Sequence, residues 1–156
     1  MDEITKALDE KYAVSIFLDL SKVFDTVNHS TLLSKFDSYG IRSIDNQWFK
    51  SYLSNRKQKV FVNGIESSSL LISSGVPQGS ILGPFLFLIY INDIVKSTNY
   101  FSVRLFADDT SLTATGKDSD VLLHGINSKL PAIYEWLCSN TLTLNLSKTK
   151  HLVFQP

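Results

Sequence analysis

Cysteine is nearly absent. Cys138 stands alone among 156 residues, which excludes an internal disulfide and a multi-cysteine zinc site and fits a reducing, intracellular compartment. An excess of charge is also missing: 15 basic and 15 acidic residues cancel, so any basic surface has to be local. Long hydrophobic runs are lacking. The longest, Phe85 to Ile91, ends at Asn92 and Asp93, far short of the ~20 apolar residues of a spanning helix, so no membrane association is expected. The opening MDEITKALDEKY is charged and holds no apolar stretch of the kind a signal peptide needs. Repeats, low-complexity tracts and linkers are absent too. What remains, 44% hydrophobic and 12% aromatic, suffices for one domain with a real core.

YAVSIFLDL (Tyr12 to Leu20) is rich in β-branched and aromatic residues and reads as a buried strand. Its two-residue period puts Val14, Ile16, Leu18 and Leu20 on one face and Ser15, Phe17 and Asp19 on the other. HSTLLSKFDSYGI predicts a helix with Ser30 as N-cap and Gly40 just past its end. A second helix follows over about 44–53. Asn63-Gly64 between apolar residues predicts a tight hairpin. GVPQGSILGPFLFLIYINDIVKS combines a rigid Gly/Pro loop with a helix over about 80–96, expected to be almost wholly buried, with Phe85, Phe87 and Tyr90 in the core. FSVRLFADDTSLTAT predicts a hairpin, and a helix over about 118–139 should kink or restart at Pro131. LTLNLSKTKHLVF closes as two short strands about Ser147. Trp48 and Trp136 read as packing residues, and His29, His124 and His151 show no metal-ligand spacing. The order of elements predicts an α+β fold, an antiparallel sheet with helices packed on one face, close to the split βαβ pattern.

Asp108 and Asp109 occupy the tip of the hairpin, where turn chemistry prefers glycine. Asp19 ends another strand 89 residues earlier. If the two strands lie side by side, the three carboxylates converge. Like charges so close require a cation, and oxygen donors without His or Cys suit Mg²⁺ or Mn²⁺. The plainer reading is an exposed acidic turn and an unrelated strand-end aspartate. GVPQGSILGP lets backbone approach a ligand, and Gln78 offers both a donor and an acceptor. Two local basic patches, Arg56, Lys57 and Lys59, and Lys148, Lys150 and His151, suit phosphate contacts or a solvated face.

FLDLSKVFDTVNH, GVPQGSILGPFLFLIYINDI, FADDT and LTLNLSKTKHLVF, in this order, resemble the palm motifs of reverse transcriptases from non-LTR (LINE-type) retrotransposons. The resemblance runs from Ala13 to Phe154 and implies a polymerase palm with incomplete fingers and no thumb, in a chain forming a single palm-type domain cut from a longer polyprotein. It implies Asp19, Asp108 and Asp109, with the Leu20 carbonyl, as ligands of Mg²⁺ (or Mn²⁺), and Lys148 as proton donor to pyrophosphate. Lys22, Val23, Phe24, Gln78 and Gly79 would meet the incoming nucleotide, Phe24 as the aromatic gate that excludes a 2′-hydroxyl. Arg56, Lys57, Lys59 and Lys150 would hold nucleic acid. The implied partners are an RNA template, a DNA primer and deoxynucleoside triphosphates, and the analogy implies nuclear action. Val23 stands where the family usually has alanine and would crowd the triphosphate. That departure and the expected truncation favour a second reading, a non-catalytic nucleic-acid-binding or scaffold remnant of a transposon, whereas the intact Asp19, Asp108 and Asp109 favour the first.

Overall fold

The computed structural model describes residues 11–155, so most of the charged opening stretch lies outside the described residues. The chain begins with β1 (Tyr12–Leu18) and β2 (Leu20–Ser21), then α1 (Val23–Thr26) and α2 (His29–Phe36), which runs into a 3-10 turn (Asp37–Tyr39). After α3 (Ser43–Leu53) come four short strands, β3 (Lys57–Gln58), β4 (Phe61–Val62), β5 (Ile65–Glu66) and β6 (Leu70–Leu71). Helix α4 (Leu82–Ile91) and a 3-10 helix (Asn92–Lys96) precede the hairpin of β7 (Ser102–Phe106) and β8 (Asp109–Gly116). Helix α5 (Ser119–Ser139), β9 (Thr143–Leu144) and β10 (Lys150–Phe154) complete an α+β chain. It divides into two compact units, residues 11–22 with 91–155, and residues 23–90.

The first unit is built on a four-stranded sheet of order β10-β1-β8-β7, antiparallel throughout. β1 is central, and Ala13, Val14, Ser15 and Ile16 are buried on both of its faces. Ser15 and Thr113 share a hydrogen bond of 3.0 Å across β1 and β8, so this buried polar pair satisfies itself. α5 packs on β8. Its N-cap is Asp118, which accepts from the backbone N–H groups of Asp120 and Val121. Of the two expected outcomes at Pro131, a restart does not occur, because α5 is one helix from Ser119 to Ser139. The bond that proline cannot donate would go to Asn127, and both residues lie on the exposed side, where water can take the freed carbonyl. β9 pairs with β2 and β10 with β1, so the two last strands pair with earlier ones instead of with each other.

In the second unit, Asn28 caps α2 by accepting from Thr31 N, while Ser30, the expected cap, donates its hydroxyl to Asn28 Oδ1. Gly40 ends the following 3-10 turn at φ +78°. The Asn63-Gly64 hairpin forms as the sequence predicts, with φ +49° and +82° at its two central residues. α4 is buried at Leu86, Phe87, Ile89 and Tyr90, but Phe85 and Leu88 are exposed. A helix apolar all round does not reveal which side faces the core. Trp48 is likewise exposed, against the expectation of packing.

Candidate active site

β1 and β8 run antiparallel with Leu18 opposite Thr110. One step past this pair, Asp19 follows β1 and Asp109 begins β8. β7 pairs Phe106 with Asp109, which leaves Ala107 and Asp108 as the two-residue turn. The positive φ that the turn demands falls on Ala107, at +54°, a position glycine ordinarily takes. Lys22, three residues beyond Asp19, is also left-handed at φ +50°. Both acidic elements thus carry backbone strain next to the carboxylates, a placement common at functional sites.

Asp19 is held through its main chain. Its carbonyl accepts from Asn145 N at 2.8 Å, and its N–H donates to Thr149 Oγ1 at 3.3 Å. Asn145 also accepts from Lys148 N, Thr149 N and the Thr149 hydroxyl. The turn that presents Lys148 is therefore fastened to the strand end that presents Asp19. Asn145 and Thr149 were not legible as site residues in the sequence, since small polar residues in a turn are common. A hollow of about 490 Å³ lies alongside, lined by Phe17, Lys148, Thr149, Lys150, His151 and Leu152. Leu20 is buried in β2, opposite Leu144.

Among the described residues, no hydrogen bond or ion pair engages the side chains of Asp19, Asp108 or Asp109, and no group of three or more His, Cys, Asp or Glu forms a ready metal cage. Three like charges without a cation have no reason to close on one another. The donor set still fits a hard divalent ion. Mg²⁺ is commonly held by one or two carboxylates, with water and substrate phosphates completing the shell, and these oxygens are uncommitted at adjacent strand ends. Thr110, next to Asp109, is 2% exposed and its hydroxyl has no partner. An orphaned buried hydroxyl costs about 1–3 kcal/mol, so Thr110→Val should raise the chemical denaturation midpoint by the equivalent of about 1 kcal/mol.

In the second unit, two motifs far apart in sequence are joined by backbone. Val76 N donates to Phe24 O (2.7 Å) and Gly75 N to Val27 O (2.8 Å). His29 Nε2 lies 2.7 Å from Gly75 O, and Gln78 Nε2 donates to Asp25 Oδ1 at 2.9 Å. Asp25, which the sequence did not single out, thus fixes the orientation of the Gln78 amide. Phe24 is half-buried with its ring 5.2 Å from that of the buried Phe87. Val23 is 3% exposed, so its branched side chain packs inward. Gly79 is exposed at φ +77°. A groove of about 790 Å³ is lined by Asp25, Arg56, Gln58, Ser74 and Gln78 among others. Lys57 is exposed in β3, and Lys59 is paired with Glu66 at 3.0 Å.

The fold has close counterparts among solved structures. Telomerase from Candida tropicalis, in complex with a TWJ fragment of telomeric RNA, superposes with a TM-score of 0.71 over 97% of this chain and 29% of its own, at 14% identity. Residues 2–155 match the family Reverse transcriptase (RNA-dependent DNA polymerase). The chain belongs to that family. It is 32% identical to the RNA-directed DNA polymerase from mobile element jockey of Drosophila melanogaster, over 94% of this chain and 17% of the relative. It is 30% identical to the probable RNA-directed DNA polymerase from transposon X-element of the same species, over 99% of this chain and 17% of the relative. The resemblance to non-LTR retrotransposon enzymes therefore holds, and the chain spans about one sixth of these relatives.

Proposed function

We propose that the chain is the palm portion, a single palm-type domain with incomplete fingers and no thumb, of an RNA-directed DNA polymerase that adds deoxynucleotides to a DNA primer on an RNA template. The observation that supports this reading is the β1–β8 register, in which Leu18 stands opposite Thr110 so that Asp19 and Asp109 are the next residues at adjacent strand ends, with the side chains of Asp19, Asp108 and Asp109 uncommitted among the described residues. The reaction joins the primer 3′-oxygen to the α-phosphorus of the nucleotide and releases pyrophosphate. Asp19, Asp108, Asp109 and the Leu20 carbonyl would hold Mg²⁺ or Mn²⁺, which supplies charge neutralisation and activates the hydroxyl for in-line displacement. Lys148 Nζ, on its tethered turn, gives a proton to the leaving pyrophosphate. Phe24, backed by Phe87, excludes a 2′-hydroxyl, and Lys22, Val23 and Gly79 contribute backbone to the nucleotide pocket. Gln78, oriented by Asp25, meets the nucleotide or the template, and Arg56, Lys57, Lys59 and Lys150 take phosphates. By family analogy the reaction takes place in the nucleus; no helix among the described residues is long and apolar enough to cross a membrane.

A second reading, a non-catalytic nucleic-acid-binding or scaffold remnant, rests on the chain's short span of its relatives and on Val23; the 3% exposure of Val23, an inward-packed side chain, supports the polymerase reading. The metal reading is tested by melting. Mg²⁺ or Mn²⁺ should raise the Tm of the folded chain by mass action, and Asp108→Asn should remove most of the gain. An equal response in both proteins would show that these aspartates are not the ligands.

A further inference from the structure

The outer side of α3 carries an aromatic pair that no role above accounts for, and it continues into Arg56 as a ladder. Trp48, Tyr52 and Arg56 recur at four-residue intervals and so share one side of α3 and the turn after it. The Trp48 and Tyr52 rings stack with centroids 5.7 Å apart and planes 8° from parallel. The Arg56 guanidinium lies 5.2 Å from the centre of the Tyr52 ring. Tyr52 stacks on the indole and Phe49 meets it edge-on with centroids 5.1 Å apart, yet Trp48 is 54% exposed, so more than half of its surface is open to water. At its other end the ladder reaches the groove, where Arg56 is a wall residue together with Gln58 and Gln78.

We propose that this ladder binds single-stranded nucleic acid, with an unpaired base stacked on the exposed indole of Trp48 and phosphates on Arg56 and Lys57. Within the polymerase reading, on which this assignment rests, the strand is template not yet paired. An exposed indole accepts any base, and only an unpaired strand offers a base face to it; a duplex keeps its bases covered. The charge is complementary: Lys57 has no partner among the described residues, and Arg56 is engaged only through its face. Lys59, in an exposed pair with Glu66, is not part of the ladder. The acid on this side, Asp45, lies in the first turn of α3, at the far end from Arg56. The amides of Gln58 and Gln78 give the groove edge groups that hydrogen-bond to base edges.

The chain has two tryptophans, so Trp136→Phe leaves Trp48 as the lone indole reporter. Titrating that protein with a uridine oligonucleotide of roughly 12 residues, in low salt and without divalent metal, should quench its fluorescence saturably, and added salt should reverse the effect. A blunt duplex of the same length should bind at least about tenfold more weakly. In the wild-type background, Trp48→Ala should weaken oligonucleotide binding about tenfold by anisotropy, while Trp48→Phe keeps most of it. Unchanged binding in Trp48→Ala, equal quenching by the duplex, or Trp48 already buried in a self-associated species seen by sedimentation would each overturn the proposal. Should Trp48→Ala fold poorly, the contrast between Trp48→Phe and Trp48→Leu decides, with equal binding counting against stacking. Because no metal is present, this outcome is separable from that of the metal melting test.

Discussion

Within a polypeptide that restores the flanking segments of its relatives, for example in place of the matching segment of the jockey polymerase, this chain should support primer extension on RNA, and Asp19→Asn or Asp108→Asn should lower kcat by at least about a thousandfold. Charge neutralisation at the reacting phosphoryl group is worth several kcal/mol, and each 1.4 kcal/mol is about tenfold in rate. The 156-residue chain by itself should give no measurable extension, even with Mn²⁺ and excess primer-template. Small misplacements of reacting groups already cost about a hundredfold, and this chain spans only 17% of the jockey polymerase that it matches. Single-nucleotide extension on a labelled primer measures both. Robust synthesis by the isolated chain, or undiminished synthesis after Asp108→Asn, would refute the assignment of these residues.

Gly75→Ala should destabilise the second unit more than any other single methyl addition in its loops. A Cβ at Gly75 would sit 2.9 Å from Asp25 Cα, Asp25 O and Phe24 O, all of them main-chain atoms, and the residue is left-handed at φ +88°. Left-handed backbone costs an alanine about 1–2 kcal/mol, and overpacking adds about 1–3, so a loss of about 2–5 kcal/mol is expected in urea denaturation. Gly79→Ala isolates the backbone contribution, because φ is +77° there but nothing lies within 4 Å of the added carbon. It should cost only about 1–2 kcal/mol. Equal losses at the two positions would mean that the close contact between residues 24–25 and Gly75 contributes nothing.

Features with local chemistry were the legible ones. The Asn63-Gly64 turn, the strand character of 12–18, the hairpin bearing Asp108 and Asp109, and the Asp118 start of α5 all follow from neighbours within a few residues. Ser30 failed as a cap because Asn28 offers the same chemistry two positions earlier, and a pattern of single residues does not choose between them. Phe85 is exposed although the pattern put it in the core, because α4 is apolar on every side, which removes the amphipathic signal that would orient it. The pairing of β9 with β2, and the bonds from Asn145 and Thr149 to Asp19, join residues more than a hundred positions apart. Such contacts depend on the whole sheet and leave no short-range mark. The site showed the same division. Its carboxylates were visible as an anomaly in a turn, whereas the Asp25 carboxylate that engages Gln78 and the Asn145 main chain that holds Asp19 belong to residues with no distinguishing pattern.

The central strand of the sheet leaves the ribosome first and meets its partners last. Ser15 and its hydrogen-bonding partner Thr113 are 98 residues apart, which at roughly 5–20 residues per second is a delay of about 5–20 s. During that interval YAVSIFL, a seven-residue stretch without charge or proline, has no strand to pair with. It meets the description of a segment that joins copies of itself when left open. Residues 23–90 are contiguous and can settle while β1 waits. Any nascent chain stopped before β8 therefore carries a bare sticky strand in front of a finished unit. Yield of soluble protein should be governed by that waiting time more than by the stability of the completed sheet, and chaperone cover of residues 12–18 should improve it.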